Sequence, residues 1–158
     1  MTTTSTEIAS MLLDQAPDAV IFADLDGTVQ YWNASAERIF GFPSTDAMGA
    51  NLDIIVPEKF REAHWTGFER AIAARETKYV GQALPTRALH ADGHEFYVEL
   101  SFSIVLDAGG EPLGALAHAR DITERFNKDR DTRRRLRELE QLLADREPGD
   151  GATAPASA

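Results

Sequence analysis

The sequence predicts an α+β fold, an antiparallel sheet of five strands with helices on one face. Strand-like runs are joined by tight turns at Asp26-Gly27, Asp92-Gly93 and Gly109-Gly110, connections that only antiparallel neighbours can use. Helical periodicity is segregated from the strands, into the two ends and the stretch between the second and third strands, as in α+β rather than alternating α/β chains. At 158 residues and 43% hydrophobic content, the chain supports one ordinary core and no second full domain.

Ile8, Met11, Leu12 and Leu13 give Thr6 to Gln15 one apolar helical face, stopped near Pro17. Ala19 to Ala23 is a buried strand, Asp26-Gly27 a hairpin turn, and Val29 to Trp32 the returning strand. Asn33 is a good N-cap for a helix from Ala34 to Phe40, with Gly41 suited to its left-handed end. A helical turn covers Ser44 to Met48. Phe60, Trp65, Phe68 and Ile72 then mark a helix from Glu58 to Ala74. The period changes after Lys78. Tyr79 to His90 is strand-like, and Pro85 suggests an edge or a bulge. Phe96, Val98, Leu100, Phe102 and Ile104 alternate along a strand from Glu95 to Val105, and a last strand covers Leu113 to Ala119. From Asp121 to Asp145 the chain is helical and highly charged. Ile122, Leu136 and Leu143 lie at multiples of seven and are joined by Leu139, a short coiled-coil signal interrupted at Asp129. The expected organisation is therefore an N-terminal amphipathic helix over 1–16, a globular domain over 17–120, a helix over 121–146 and a disordered tail over 147–158.

Charge and composition exclude several functions. Residues 1–119 carry seven Lys/Arg against seventeen Asp/Glu, and an acidic body of this kind repels phosphate backbones, so no nucleic-acid partner is expected. Arg133-Arg134-Arg135 is flanked by acids and suits a solvated helix face. The chain has no cysteine, which removes disulfides, thiolate metal sites and cysteine nucleophiles. No apolar run approaches the ~20 residues of a membrane span, and Met1 to Glu7 lacks a cationic leader; a soluble, cytoplasmic protein without a membrane partner is expected.

The run VIFADLDGTV from Val20 admits two readings. An apolar strand ending in D-x-D-G-T resembles the nucleophile motif of haloacid-dehalogenase-type phosphatases, with Asp24 as nucleophile and Asp26 as acid/base. Those enzymes also need a parallel sheet and a further acidic pair for magnesium, which the chain lacks at any expected strand end. Asp-x-Asp-Gly in a hairpin is also simple turn chemistry. No other catalytic constellation is present, and no enzymatic activity is expected.

Read on, the string DGTVQYWNASAERIFGF from Asp26 to Phe42 resembles the start of a PAS domain. Gly49-Ala50-Asn51, Asp92-Gly93-His94-Glu95-Phe96 and the exit Arg120-Asp121-Ile122-Thr123-Glu124-Arg125 follow in the family's order, so the resemblance covers about Ile8 to Arg125. It implies a sheet of order 2-1-5-4-3, a ligand pocket beneath the helices, and an exit that couples the pocket to a following signalling helix. Leu52 stands where flavin photosensors of this superfamily carry a reactive cysteine, so light sensing through a cysteine adduct is excluded.

Within the family, Pro57-Glu58-Lys59-Phe60-Arg61-Glu62-Ala63-His64 resembles the P-x-x-x-R-x-x-H helix of oxygen-sensing haem PAS domains. The resemblance implies haem b with His64 as proximal iron ligand, Arg70 and Lys78 at the propionates, and Leu100 and Phe102 on the distal wall. Gln82 and Leu84 take the positions where those sensors use a distal Met or Arg. Gln82 could donate a hydrogen bond to a diatomic gas and Leu84 could not, which favours carbon monoxide or nitric oxide over oxygen. The pocket could instead be empty, or hold a small organic ligand or a flavin. His118, central in the last strand, is expected to face the core or an interface, with a role as sixth iron ligand a remote option; His90 and His94 flank a turn and are expected to be solvated. The competing class is a ligand-free interaction module. In either case a homodimer is expected, acting in trans on a signalling partner such as a kinase or as part of a longer chain.

Overall fold

Gly27 closes the first hairpin at φ +77°, where a side chain would be strained, and Asp24 locks the turn. One Asp24 carboxylate oxygen accepts from the amides of Asp26 and Thr28, both at 3.0 Å, and the other accepts from the Gln30 side chain at 2.8 Å. This turn joins β1 (Ala19–Asp24) to β2 (Val29–Trp32). The structure, a computed structural model, describes residues 2–146; the tail expected at 147–158 lies outside them. Three further strands follow: β3 (Leu84–Leu89), β4 (Glu95–Leu106) and β5 (Pro112–Asp121). The sheet order is β2-β1-β5-β4-β3, as the resemblance implies. Every pairing is antiparallel. The phosphatase alternative is thereby overturned, since Asp24 and Asp26 have no parallel strand end from which to act and serve as turn residues.

The helices follow their caps. Thr4 and Glu7 form a reciprocal capping box at the start of α1 (Ser5–Asp14). Asn33 caps α2 (Ala34–Phe40), and Gly41 ends it at φ +81°. A short α3 (Ser44–Ala47) and two 3₁₀ turns (Leu52–Ile54, Glu58–Phe60) lead into α4 (Arg61–Ala74), and α5 (Thr123–Arg146) ends the described chain. The expected helix from Glu58 thus starts as a 3₁₀ turn.

One face of the sheet carries the core. Ile21, Ala23, Val98 and Ala119 are buried there with Trp32, Ala36 and Phe40. Phe40 packs between Trp32, tilted, and Phe96, edge-on, with both ring centroids 5.6 Å away, contacts that add about 0.5–1.5 kcal/mol each beyond area burial.

Two expectations are corrected and a third is narrowed. The strand begins at Leu84, not Tyr79, because the chain turns at Gly81 (φ +71°) and the Gln82 amide donates back to the Tyr79 carbonyl at 2.9 Å. Ile122 is no part of a helical seam: it is buried ahead of α5, and its amide donates to the Tyr97 carbonyl at 3.0 Å. His118 does not face the core. Ala117 and Ala119 take the inner face, so the period-2 pleat turns His118 outward, where it is exposed opposite Ser101.

The described residues fall into two units, one running to Thr123 and one beginning at Glu124. The second is helical, with Leu136, Leu139, Leu142 and Leu143 all more than half exposed. Among the described residues no helix is long and apolar enough to cross a membrane.

Candidate functional site

Small residues make a hollow. Ala23 and Ala115 pair across β1 and β5, and Ala117 lies next to them on the same face. Three methyl groups where larger side chains would stand keep the sheet surface low. The helix opposite does not fill the gap: no residue of α4 is buried. The result is a cavity of about 660 Å³, within the range of pockets that hold cofactors and small molecules. Its floor is Ile21, Val98, Leu100, Phe102 and Ile104, and α4 supplies its other wall through His64, Gly67 and Phe68.

The start of α4 is held firmly. The Arg61 guanidinium donates to the carbonyls of Val56 and Asp53, at 3.1 and 3.2 Å. The Trp65 indole N–H donates to the Asp53 carboxylate at 2.8 Å, and its ring covers Gly27, where a Cβ would lie 2.1 Å from the nearest ring carbon. The Arg of the P-x-x-x-R-x-x-H string is therefore a clamp on the preceding 3₁₀ turn. This fixes the residue one turn on, His64, whose ring meets Trp65 edge-on at 4.8 Å.

His64 is the unusual member of this wall. Its Nδ1 is buried without a hydrogen-bond partner, a costly condition for a polar atom. Burial lowers its pKa, with the Asp53 carboxylate opposing the shift, so the neutral ring is favoured. The native state then binds fewer protons at His64 than the unfolded chain does. Stability from this group is fully present above the ordinary value of 6.5 and is lost as pH falls below it. Urea unfolding at pH 7.5 and 5.5 should show a smaller pH difference in His64→Leu than in the parent; an unchanged difference would remove His64 as its source.

Of the residues proposed from the sequence, His64, Arg70, Lys78, Leu84, Leu100 and Phe102 all line the cavity. Gln82 does not. It is exposed in the turn before β3, because the bend at Gly81 breaks the strand alternation that would have aimed it inward.

The family model described as PAS fold matches residues 13–127. The chain belongs to the PAS family. Over 132 residues it is 32% identical to Sensor protein FixL of Bradyrhizobium diazoefficiens, a match covering 84% of this chain and 25% of the relative. An uncharacterized protein of Azorhizobium caulinodans is 35% identical over 120 residues, 75% of this chain and 16% of that one. The chain thus spans a quarter or less of the curated relatives it matches. Among solved structures, a PAS domain of a Colwellia psychrerythraea protein superposes with a TM-score of 0.67 at 23% identity, covering 77% of this chain and 99% of that one. A PAS domain from a two-component sensor histidine kinase gives 0.58 at 20%, covering 73% and 95%. Both show the fold.

Several PAS-site features were not read from the sequence. The alanine floor carries no signal of its own, since Ala23, Ala115 and Ala117 become neighbours only through strand pairing. Arg87 also reaches the cavity, yet its guanidinium is held by the Tyr97 hydroxyl at 2.7 Å and by Glu95 at 3.3 Å. Asp53 could have been suspected as a helix-start anion near Arg61, but its indole partner Trp65 is a tertiary result.

Proposed function

We propose that this PAS domain is a sensor module that takes haem b in its cavity with His64 as the axial ligand, and signals through α5 without catalytic activity of its own. The observation that carries the reading is His64, an imidazole kept neutral by burial, in the wall of a largely apolar cavity of about 660 Å³. The donor set fits: an imidazole for iron, Arg70 and Lys78 for two carboxylates, and apolar Leu84, Leu100 and Phe102 for the ring. Haem bound there would supply a redox-active iron with a coordination position for a diatomic gas. With Gln82 outside the lining and the Arg87 guanidinium held by Tyr97 and Glu95, Leu84, Leu100 and Phe102 offer oxygen no hydrogen bond, which favours carbon monoxide or nitric oxide. The likeness to Sensor protein FixL supports a signalling context, with a cytoplasmic kinase or similar partner receiving the output.

The exit from the sheet is built to carry a change. Ile122 is buried, the Asp121 carboxylate accepts from the Thr123 amide at 2.9 Å, and the Thr123 hydroxyl accepts from the Tyr97 amide at 3.2 Å. A shift of β4, which lines the cavity, therefore moves the root of α5, and two packings of that root would be the switch.

A second reading is a ligand-free dimerisation module, favoured by the exposure of Ile8, Met11, Leu12 and Leu13 on α1 and of the α5 leucines. One experiment separates the two. Protein expressed with haem precursor should show a Soret band that shifts on reduction and again under carbon monoxide, and that is lost or displaced in His64→Ala. An unchanged spectrum in His64→Ala would overturn the axial assignment. No band after haem titration, with a homodimer still sedimenting, would leave the interaction module.

A further inference from the structure

The β3–β4 hairpin carries the pattern His90-Ala91-Asp92-Gly93-His94, which neither the cavity nor the exit uses. Residues at i, i+2 and i+4 lie on one side of an extended chain, and here the turn folds the three side chains together. Their ligand atoms all lie within 4.8 Å of one another. The Asp92 Oδ1 oxygen is 3.2 Å from Nδ1 of His90 and in contact with Nδ1 of His94. The two imidazoles stack, with centroids 4.6 Å apart and planes 25° from parallel. One carboxylate oxygen thus sits between two ring nitrogens.

The frame beneath them is rigid. The His90 amide donates to the His94 carbonyl, the Gly93 amide to the His90 carbonyl, and the Ala91 amide to the Phe40 carbonyl at the end of α2, each at 2.9 Å. Gly93 turns the chain at φ +93°. The His90 ring is pressed against Gly41, where a Cβ would come within 2.4 Å of it. His94 and Asp92 stay more than half exposed, so an ion has access.

We propose that His90, Asp92 and His94 form a binding site for a divalent transition-metal ion, with zinc the best-matched occupant. Two imidazole nitrogens and a carboxylate are a borderline donor set that suits zinc, nickel or copper rather than calcium or magnesium. Three protein ligands leave at least one position open to water or to a ligand from a partner. The net charge of −10 favours any cation at the surface. The site is separate from the cavity but close to its frame, since the His90 ring lies 6.0 Å from Phe96, which meets Phe40 edge-on.

Equilibrium dialysis of tag-free, haem-free protein against zinc chloride tests the assignment. One zinc per chain is expected, with affinity lowered at least ~10-fold in His94→Gln and in Asp92→Asn. Both side chains are exposed, and a thermal melt would show that the variants are folded. His118→Gln should bind zinc as the parent does. No zinc retained by the parent, or retention untouched by His94→Gln and Asp92→Asn, would overturn the site.

Discussion

Asn33→Ala is expected to destabilise the protein by about 3 kcal/mol, summing a lost helix cap and buried groups left unpaired. The side chain is 1% exposed and uses both ends. Its oxygen accepts from the amides of Val20 and Ala36, both at 2.9 Å. Its nitrogen donates to the carbonyls of Leu13 and Asp18, at 2.9 and 3.1 Å. One residue therefore starts α2, satisfies an edge of β1, and ties down the end of α1. Alanine removes all four bonds and leaves the Val20 and Ala36 amides buried without acceptors. Urea unfolding measures the loss, and amide exchange at Val20 should accelerate with it. A cost below about 1 kcal/mol would mean that water replaces the side chain and that α1 is not anchored there.

Gly114→Ala should be as severe, about 3 kcal/mol or more, because overpacking against backbone has no cheap relaxation. A Cβ at this position would lie 2.0 Å from the Ala23 carbonyl oxygen and 2.9 Å from two ring carbons of Phe22. Relief requires β1 and β5 to separate, and those strands carry Ala23 and Ala115 of the cavity floor. Gly49→Ala is the matching control. Gly49 has φ +81° but nothing within 4 Å of the added Cβ, so only backbone strain of about 1–2 kcal/mol applies. Equal losses at the two positions, measured by thermal or urea unfolding, would show that conformation and not space governs Gly114.

The strands and turns were legible because their causes are local. Asp26-Gly27 and Asp92-Gly93 demand hairpins, Asn33 demands a helix start, and the alternation from Phe96 to Ile104 demands one inward face; each is satisfied by residues a few positions away. Misreadings occurred where a local signal lost to a neighbour. Tyr79 and Val80 have strand character, yet Gly81 turns the chain and leaves Val80 70% exposed, taking Gln82 away from the cavity.

The candidate site divides the same way. Periodicity and turn chemistry, as properties of short segments, determined the strands, the helices and the α+β class, while the strand order and most of the lining set around His64 followed from the resemblance of the ordered motifs to PAS domains. The resemblance implied a pocket, but only the tertiary structure decided how it forms, because the hollow depends on three alanines meeting across paired strands beneath a helix that stands off them. It alone showed that His64 Nδ1 lacks a partner, that Arg61 clamps a turn, and that His90, Asp92 and His94 converge. Burial and convergence are sums over residues distant in the chain, and no local pattern contains them.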